Sequence, residues 1–113
     1  AYGDGSVGLS TERMRWFWER LMGPRQPGPA DPLREPLEAD LSGLPPLALV
    51  AAEVDCLLDD TLDLIETLKR EGHRHSFDLV RGAPHGFLHM VNLYPPARTA
   101  LERLLGRLAA MVS

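Results

Sequence analysis

An internal disulfide is excluded at once, because the 113-residue chain holds a single cysteine, Cys56, a usage that fits a reducing compartment. No apolar run approaches the roughly 18 consecutive residues that a membrane helix requires. Ala1-Tyr2-Gly3-Asp4-Gly5 lacks the basic and apolar regions of a secretory signal, and the missing initiator Met suggests a processed or truncated chain. A basic stripe is absent as well: twelve Lys and Arg are scattered among sixteen acids, for a formal charge of −4, so a nucleic-acid backbone meets no electrostatic footprint. Internal repeats and low-complexity tracts are missing too. The expectation is a soluble, cytoplasmic protein with no nucleic-acid partner and no membrane insertion.

What is present is ordinary globular composition, with 44% hydrophobic and 25% charged residues, in a length that sustains one small domain at most. Residues 1–46 and 47–113 differ in kind. In the first part a Gly-rich leader runs to residue 9, and Ser10 is a plausible N-cap for a helix whose Met14, Phe17, Trp18, Leu21 and Met22 repeat with helical spacing. Residues 23–46 then hold Pro24, Pro27, Pro29, Pro32, Pro36, Pro45 and Pro46, which forbid one continuous helix and imply an extended or turn-like connector.

The second part reads as strand, helix, strand, helix. Leu47-Ala48-Leu49-Val50-Ala51-Ala52 is a continuous apolar run, the pattern of a parallel strand buried on both faces and so flanked by helices. The following helix opens with Asp59, Asp60 and Asp63, closes with Lys69 and Arg70 and stops at Gly72, which places each charge against the favourable end of the helix dipole. His75 to Arg81 alternates as a strand nearer the sheet edge, and a right-handed crossover would make the two strands parallel neighbours. Pro95 and Pro96 open a last helix with Ala97, Leu101, Leu104, Leu105, Leu108, Met111 and Val112 as its apolar stripe.

Thirty residues separate Asp55 from His85, and each follows a strand-like stretch. Functional groups of open α/β sheets gather at the carboxyl ends of the strands, so the loops bearing these two residues can meet. A carboxylate that accepts the Nδ1 proton of an imidazole fixes its tautomer and stabilises the imidazolium formed when the other nitrogen takes a proton. Asp55 is therefore the candidate acid and His85 the candidate base of a triad. Taken singly, Asp55 could be only a helix N-cap, and His85 only a loop histidine bound to backbone.

Together with their flanks, these residues carry a resemblance. Asp31-Pro32-Leu33, Pro36-Leu37, Asp40-Leu41-Ser42-Gly43-Leu44-Pro45-Pro46, Ala52-Glu53-Val54-Asp55 and His85-Gly86-Phe87 resemble the hormone-sensitive-lipase-like branch of α/β-hydrolases, which includes bacterial acetyl esterases and acetylhydrolases. The resemblance implies an α/β fold in which this chain is the C-terminal portion: two parallel strands, about three helices and an incomplete sheet. It implies hydrolysis of carboxylic esters without metal or organic cofactor, Asp55 and His85 in the triad, and Asp59 at a second acidic position. Cys56 and Glu35 depart from the family's usual residues without touching a catalytic group. The family's nucleophile elbow and oxyanion-hole glycines lie well before the triad acid, whereas only 54 residues precede Asp55.

Ser6, in Gly3-Asp4-Gly5-Ser6-Val7-Gly8, imitates an elbow but has Asp4 where Gly-x-Ser-x-Gly needs glycine, and no strand enters it. His85 and His89 have the spacing of a zinc-protease pair, yet Gly86 stands where the general-base glutamate belongs, and nothing completes a ligand set; His73 and His75 suit capping or exposed roles. Trp16, off the apolar stripe of the first helix, and Phe87 are the candidate substrate contacts. Two alternatives stay open: a noncatalytic interaction module, and a fragment of a prolyl-oligopeptidase-type peptidase, which orders its acid and His-Gly-Phe histidine alike. On either esterase or module reading, the open sheet edge favours a homodimer or higher oligomer.

Overall fold

The computed structural model describes residues 2–24 and 35–113. Pro27, Pro29, Pro32 and the Asp31-Pro32-Leu33 stretch lie outside the described residues. The first helix, α1 (Thr11–Met22), begins where expected: Ser10 Oγ accepts the Arg13 N–H at 3.0 Å, which satisfies one orphan donor of the first turn. Its apolar stripe behaves otherwise than the periodicity suggests, for none of its residues is buried. Phe17, Trp18 and Leu21 stay exposed, because among the described residues that face is only loosely approached.

β1 (Leu47–Val54) and β2 (His75–Pro84) pair in parallel, from Leu47 opposite His75 to Ala52 opposite Val80, and α2 (Leu58–Arg70) forms the crossover between them. The expectation of a β1 buried on both faces is corrected: only Ala51 and Ala52 are buried, while Leu47 to Val50 are half-buried. Each of the two described strands is an edge of the sheet, so among the described residues β1 has no strand on its far side to help cover it.

The core is small and lies toward the carboxyl ends of the strands. Ala52, Val80, Ala83 and Phe87 meet Ala97 and Ala100 on the first turns of α3 (Pro95–Val112). Ala51 points to the opposite face of the pleat, which α2 covers, with its Ile65 and fully buried Leu68. A leucine buried in this way contributes about 1.5–3 kcal/mol. The α2 terminus follows its sequence signals, since Gly72 takes φ +66° and the His73 N–H returns to the Leu68 carbonyl at 2.9 Å. The stripe on α3 is covered only in part: Leu105, Leu108 and Val112 are exposed.

Candidate active site

Asp55 follows β1 directly; the cap of α2 is Leu57 and not Asp55, whose two carboxylate oxygens serve a turn and a histidine ring. Oδ1 accepts the Leu57 N–H at 2.9 Å, closing the turn into α2, while Oδ2 accepts from His85 Nδ1 at 2.8 Å. The turn fixes the carboxylate plane, and that plane aims the second oxygen at the ring. Asp55 is largely covered, with 13% of its side chain exposed against 42% for His85. A carboxylate only accepts when ionised, so the proton of neutral His85 sits on Nδ1 and its Nε2 carries a lone pair. Among the described residues Nε2 has no hydrogen-bond partner.

His85 is delivered by a distorted strand end. The register advances from Ala52/Val80 to Val54/Pro84, so that three residues of β2 face Glu53 alone. Glu53 Oε2 accepts the Gly82 N–H at 2.8 Å within this bulge. Beyond His85, Gly86 takes φ +74°, a conformation that suits glycine, and turns the chain into the short 3₁₀ segment Phe87–Met90, where the His89 N–H bonds the Gly86 carbonyl at 2.9 Å.

A cleft of about 380 Å³ opens beside the pair, walled by Val50, Ala51, Leu57, Leu58, Thr61 and Leu88 among others. Phe87, read as a substrate contact, lines this cleft but is itself buried in the core, which makes packing its main role. Trp16 is not brought to the pair; it lines a hollow with the Gly-rich leader, edge-on to Phe17 and beneath the Arg20 guanidinium. Of the two tryptophans the nearer to the site is Trp18, which walls a groove of about 500 Å³ together with Leu57 and Thr61, and both of these also line the His85 cleft. Helical periodicity could not distinguish Trp18 from core.

The remaining candidates fall away from the pair. Ser6 donates from Oγ to Asp4 Oδ1 at 2.6 Å in an exposed turn, a bond that holds the Asp4 carboxyl below its usual range, and Ser6 does not line the cleft. Asp59 is exposed on the first turn of α2. His73 Nε2 faces the Leu44 carbonyl at 3.1 Å and His75 Nδ1 the His73 carbonyl at 2.7 Å, so both hold backbone. No three metal-ligating side chains converge among the described residues, and none of their helices is long and apolar enough to cross a membrane. Glu53 is the residue whose part in the site was not foreseen; it stood beside Asp55 in the motif, but only the bulge reveals what it binds.

Known proteins share this arrangement of elements. A family model described as the α/β-hydrolase fold matches residues 1–89. Human hormone-sensitive lipase is 33% identical over 86 residues, covering 74% of this chain and 8% of the lipase. Lipase 2 of a Moraxella species is 31% identical over 81 residues, 72% of this chain and 19% of that protein. Among solved structures, an esterase of Pyrobaculum calidifontis superposes with a TM-score of 0.81 at 28% identity, covering 98% of this chain and 36% of that one. A second esterase, solved as a double mutant, gives a TM-score of 0.80 at 31% identity over 94% of this chain and 35% of that one. The chain thus spans less than a fifth of the length of these two lipases and about a third of the solved esterases.

Proposed function

This chain belongs to the α/β-hydrolase fold family, and from that premise we propose that it supplies the acid and the base of a carboxylic-ester hydrolase. The observation that carries the reading is the Asp55 Oδ2 to His85 Nδ1 bond of 2.8 Å, set at the carboxyl ends of parallel strands beside an apolar cleft. In this reading His85 Nε2 takes the proton of a serine hydroxyl as that oxygen attacks the ester carbonyl. Asp55 stabilises the imidazolium, and Nε2 then gives the proton to the departing alkoxide. Water, activated by the same nitrogen, releases the acid from the acyl-enzyme. The chemistry uses no metal or organic cofactor.

The serine and the oxyanion-hole donors belong, in this proposal, to sequence outside these 113 residues, and the exposed Asp4-bound turn of Ser6 supports that. Esters of short acyl chains are the proposed substrates, as the resemblance to acetyl esterases implies, and the single cysteine fits the reducing compartment of a cytoplasmic protein. Alone the chain is expected to be nearly inert, since it forfeits the acyl-enzyme route and a further hundredfold to thousandfold, roughly, from oxyanion stabilisation. The test is p-nitrophenyl acetate hydrolysis by the chain and its His85→Ala variant, with mass detection of a fluorophosphonate adduct. Equal background rates and no adduct are expected; turnover that vanishes on Ser6→Ala overturns the missing-nucleophile proposal.

A second reading, a noncatalytic module that associates with another copy, is favoured by the half-buried apolar residues of β1 and the exposed aromatics of α1. It predicts a dimer or larger species in light scattering at tens of micromolar. A strict monomer counts against it.

A further inference from the structure

We propose that Glu53 is a positioning residue for His85, acting through the backbone of Gly82; the inference rests on the reading of Asp55 and His85 as an acid and base pair. Between the register pairs Ala52/Val80 and Val54/Pro84, the three residues 81–83 stand opposite Glu53. A bulge of this kind removes ladder partners from the backbone and leaves the strand free to choose its exit direction. Here that freedom is taken away on both sides. Ala83 is fully buried in the core beside Ala52 and Phe87. Gly82, at φ +69°, turns its N–H to the Glu53 carboxylate at 2.8 Å.

The consequence falls on the residues that follow. Pro84 has a fixed φ, so a segment pinned at Gly82 and Ala83 has few ways to present His85. Asp55 lies two residues beyond Glu53 on the same strand end. One stretch of chain therefore carries both the carboxylate that receives the imidazole and the carboxylate that sets where the imidazole-bearing segment leaves the sheet. A charged acceptor on a backbone N–H makes a strong bond. The neighbouring contact, Arg81 Nη1 to Glu53 Oε1 at 3.5 Å with Arg81 84% exposed, adds little. The requirement at position 53 is thus for an acceptor oxygen at that reach, not for the ion pair.

The experiment reads the His85 ring in the whole chain, by two-bond proton–nitrogen correlations at mildly alkaline pH, for the unsubstituted protein, Glu53→Gln, Glu53→Ala and Asp55→Asn. The unsubstituted chain should hold its proton on Nδ1. Asp55→Asn and Glu53→Ala should both lose that preference, whereas Glu53→Gln, which keeps an acceptor, should retain it. His73 and His75, at the far end of β2, should not respond, which separates a local effect from general loosening. Should Glu53→Ala fail to fold, the unsubstituted chain still decides: its Gly82 amide should exchange with solvent at least about tenfold more slowly than a free glycine amide. An unchanged His85 tautomer in Glu53→Ala, or an unprotected Gly82 amide, overturns the proposal. Neither readout involves an ester, so turnover that vanished on Ser6→Ala would count against the missing-nucleophile reading and leave this proposal standing.

Discussion

β2 has histidines near both ends, and the two ends hold their rings by different acceptors. Where the strand begins, His75 Nδ1 bonds the His73 carbonyl at 2.7 Å and His73 Nε2 bonds the Leu44 carbonyl at 3.1 Å. Just past its other end, His85 Nδ1 bonds the Asp55 carboxylate at 2.8 Å. A carbonyl dipole fixes a ring in place and does little more. An ionised carboxylate also stabilises the cation that forms when the second nitrogen takes a proton. Access does not divide them, since His73 and His85 each line a hollow, of about 280 and 380 Å³. What separates the ring of His85 from those of His73 and His75 is the acceptor behind it.

Breaking the acceptor should give the largest effect. In a hydrolase completed by its nucleophile-bearing portion, Asp55→Asn should lower kcat about 10⁴-fold, whereas His75→Ala should leave kcat unchanged. Steady-state kinetics on both variants checks this, and a loss of less than about tenfold for Asp55→Asn would erase the distinction between the two ends. Next come two glycines in the same left-handed conformation, Gly86 at φ +74° and Gly72 at φ +66°. Alanine at either should cost about 1–2 kcal/mol in denaturant unfolding, but only Gly86→Ala should weaken the Nδ1 proton signal of His85. Smaller still, His73→Ala should cost about 1 kcal/mol through the lost bond to Leu44, with no change in turnover.

That Asp55 and His85 meet was legible in the sequence, because each follows a strand-like stretch and loops at the carboxyl ends of parallel strands share one edge. The limits of α2 were legible for a local reason: its charges and Gly72 act on the helix that contains them. Burial was legible less well. The spacing of Met14, Phe17, Trp18 and Leu21 marks one face of α1 as apolar, but cover for that face must come from elsewhere in space, and among the described residues it is too sparse to bury Phe17, Trp18 or Leu21. Leu47 to Val50 misled in the same way, since a run of apolar residues records what a strand can bury and not what stands beside it. Glu53 was hidden for another reason, as its partner exists only after two strands pair with unequal residue counts.

The smallest effect offers a way to watch the Asp55 carboxylate itself. Cys56 is its neighbour in sequence, and its thiol is pushed above the ordinary range first by burial and then by the negative charge of Asp55, with Asp60 adding a lesser push. Both causes disfavour thiolate, the form that reacts. Alkylation of Cys56 by iodoacetamide at mildly alkaline pH should therefore run slower than that of a free cysteine, and its rate should keep rising with pH beyond the point where a free thiol levels off. Asp55→Asn removes the second cause and leaves the first. The variant should then react a few-fold faster than the unsubstituted chain while staying slower than free cysteine. His75→Ala, at the other end of the strand, should not alter the rate. A rate indifferent to Asp55→Asn would mean that solvent screens the Asp55 charge from the Cys56 thiol, leaving burial as the cause of its slow alkylation.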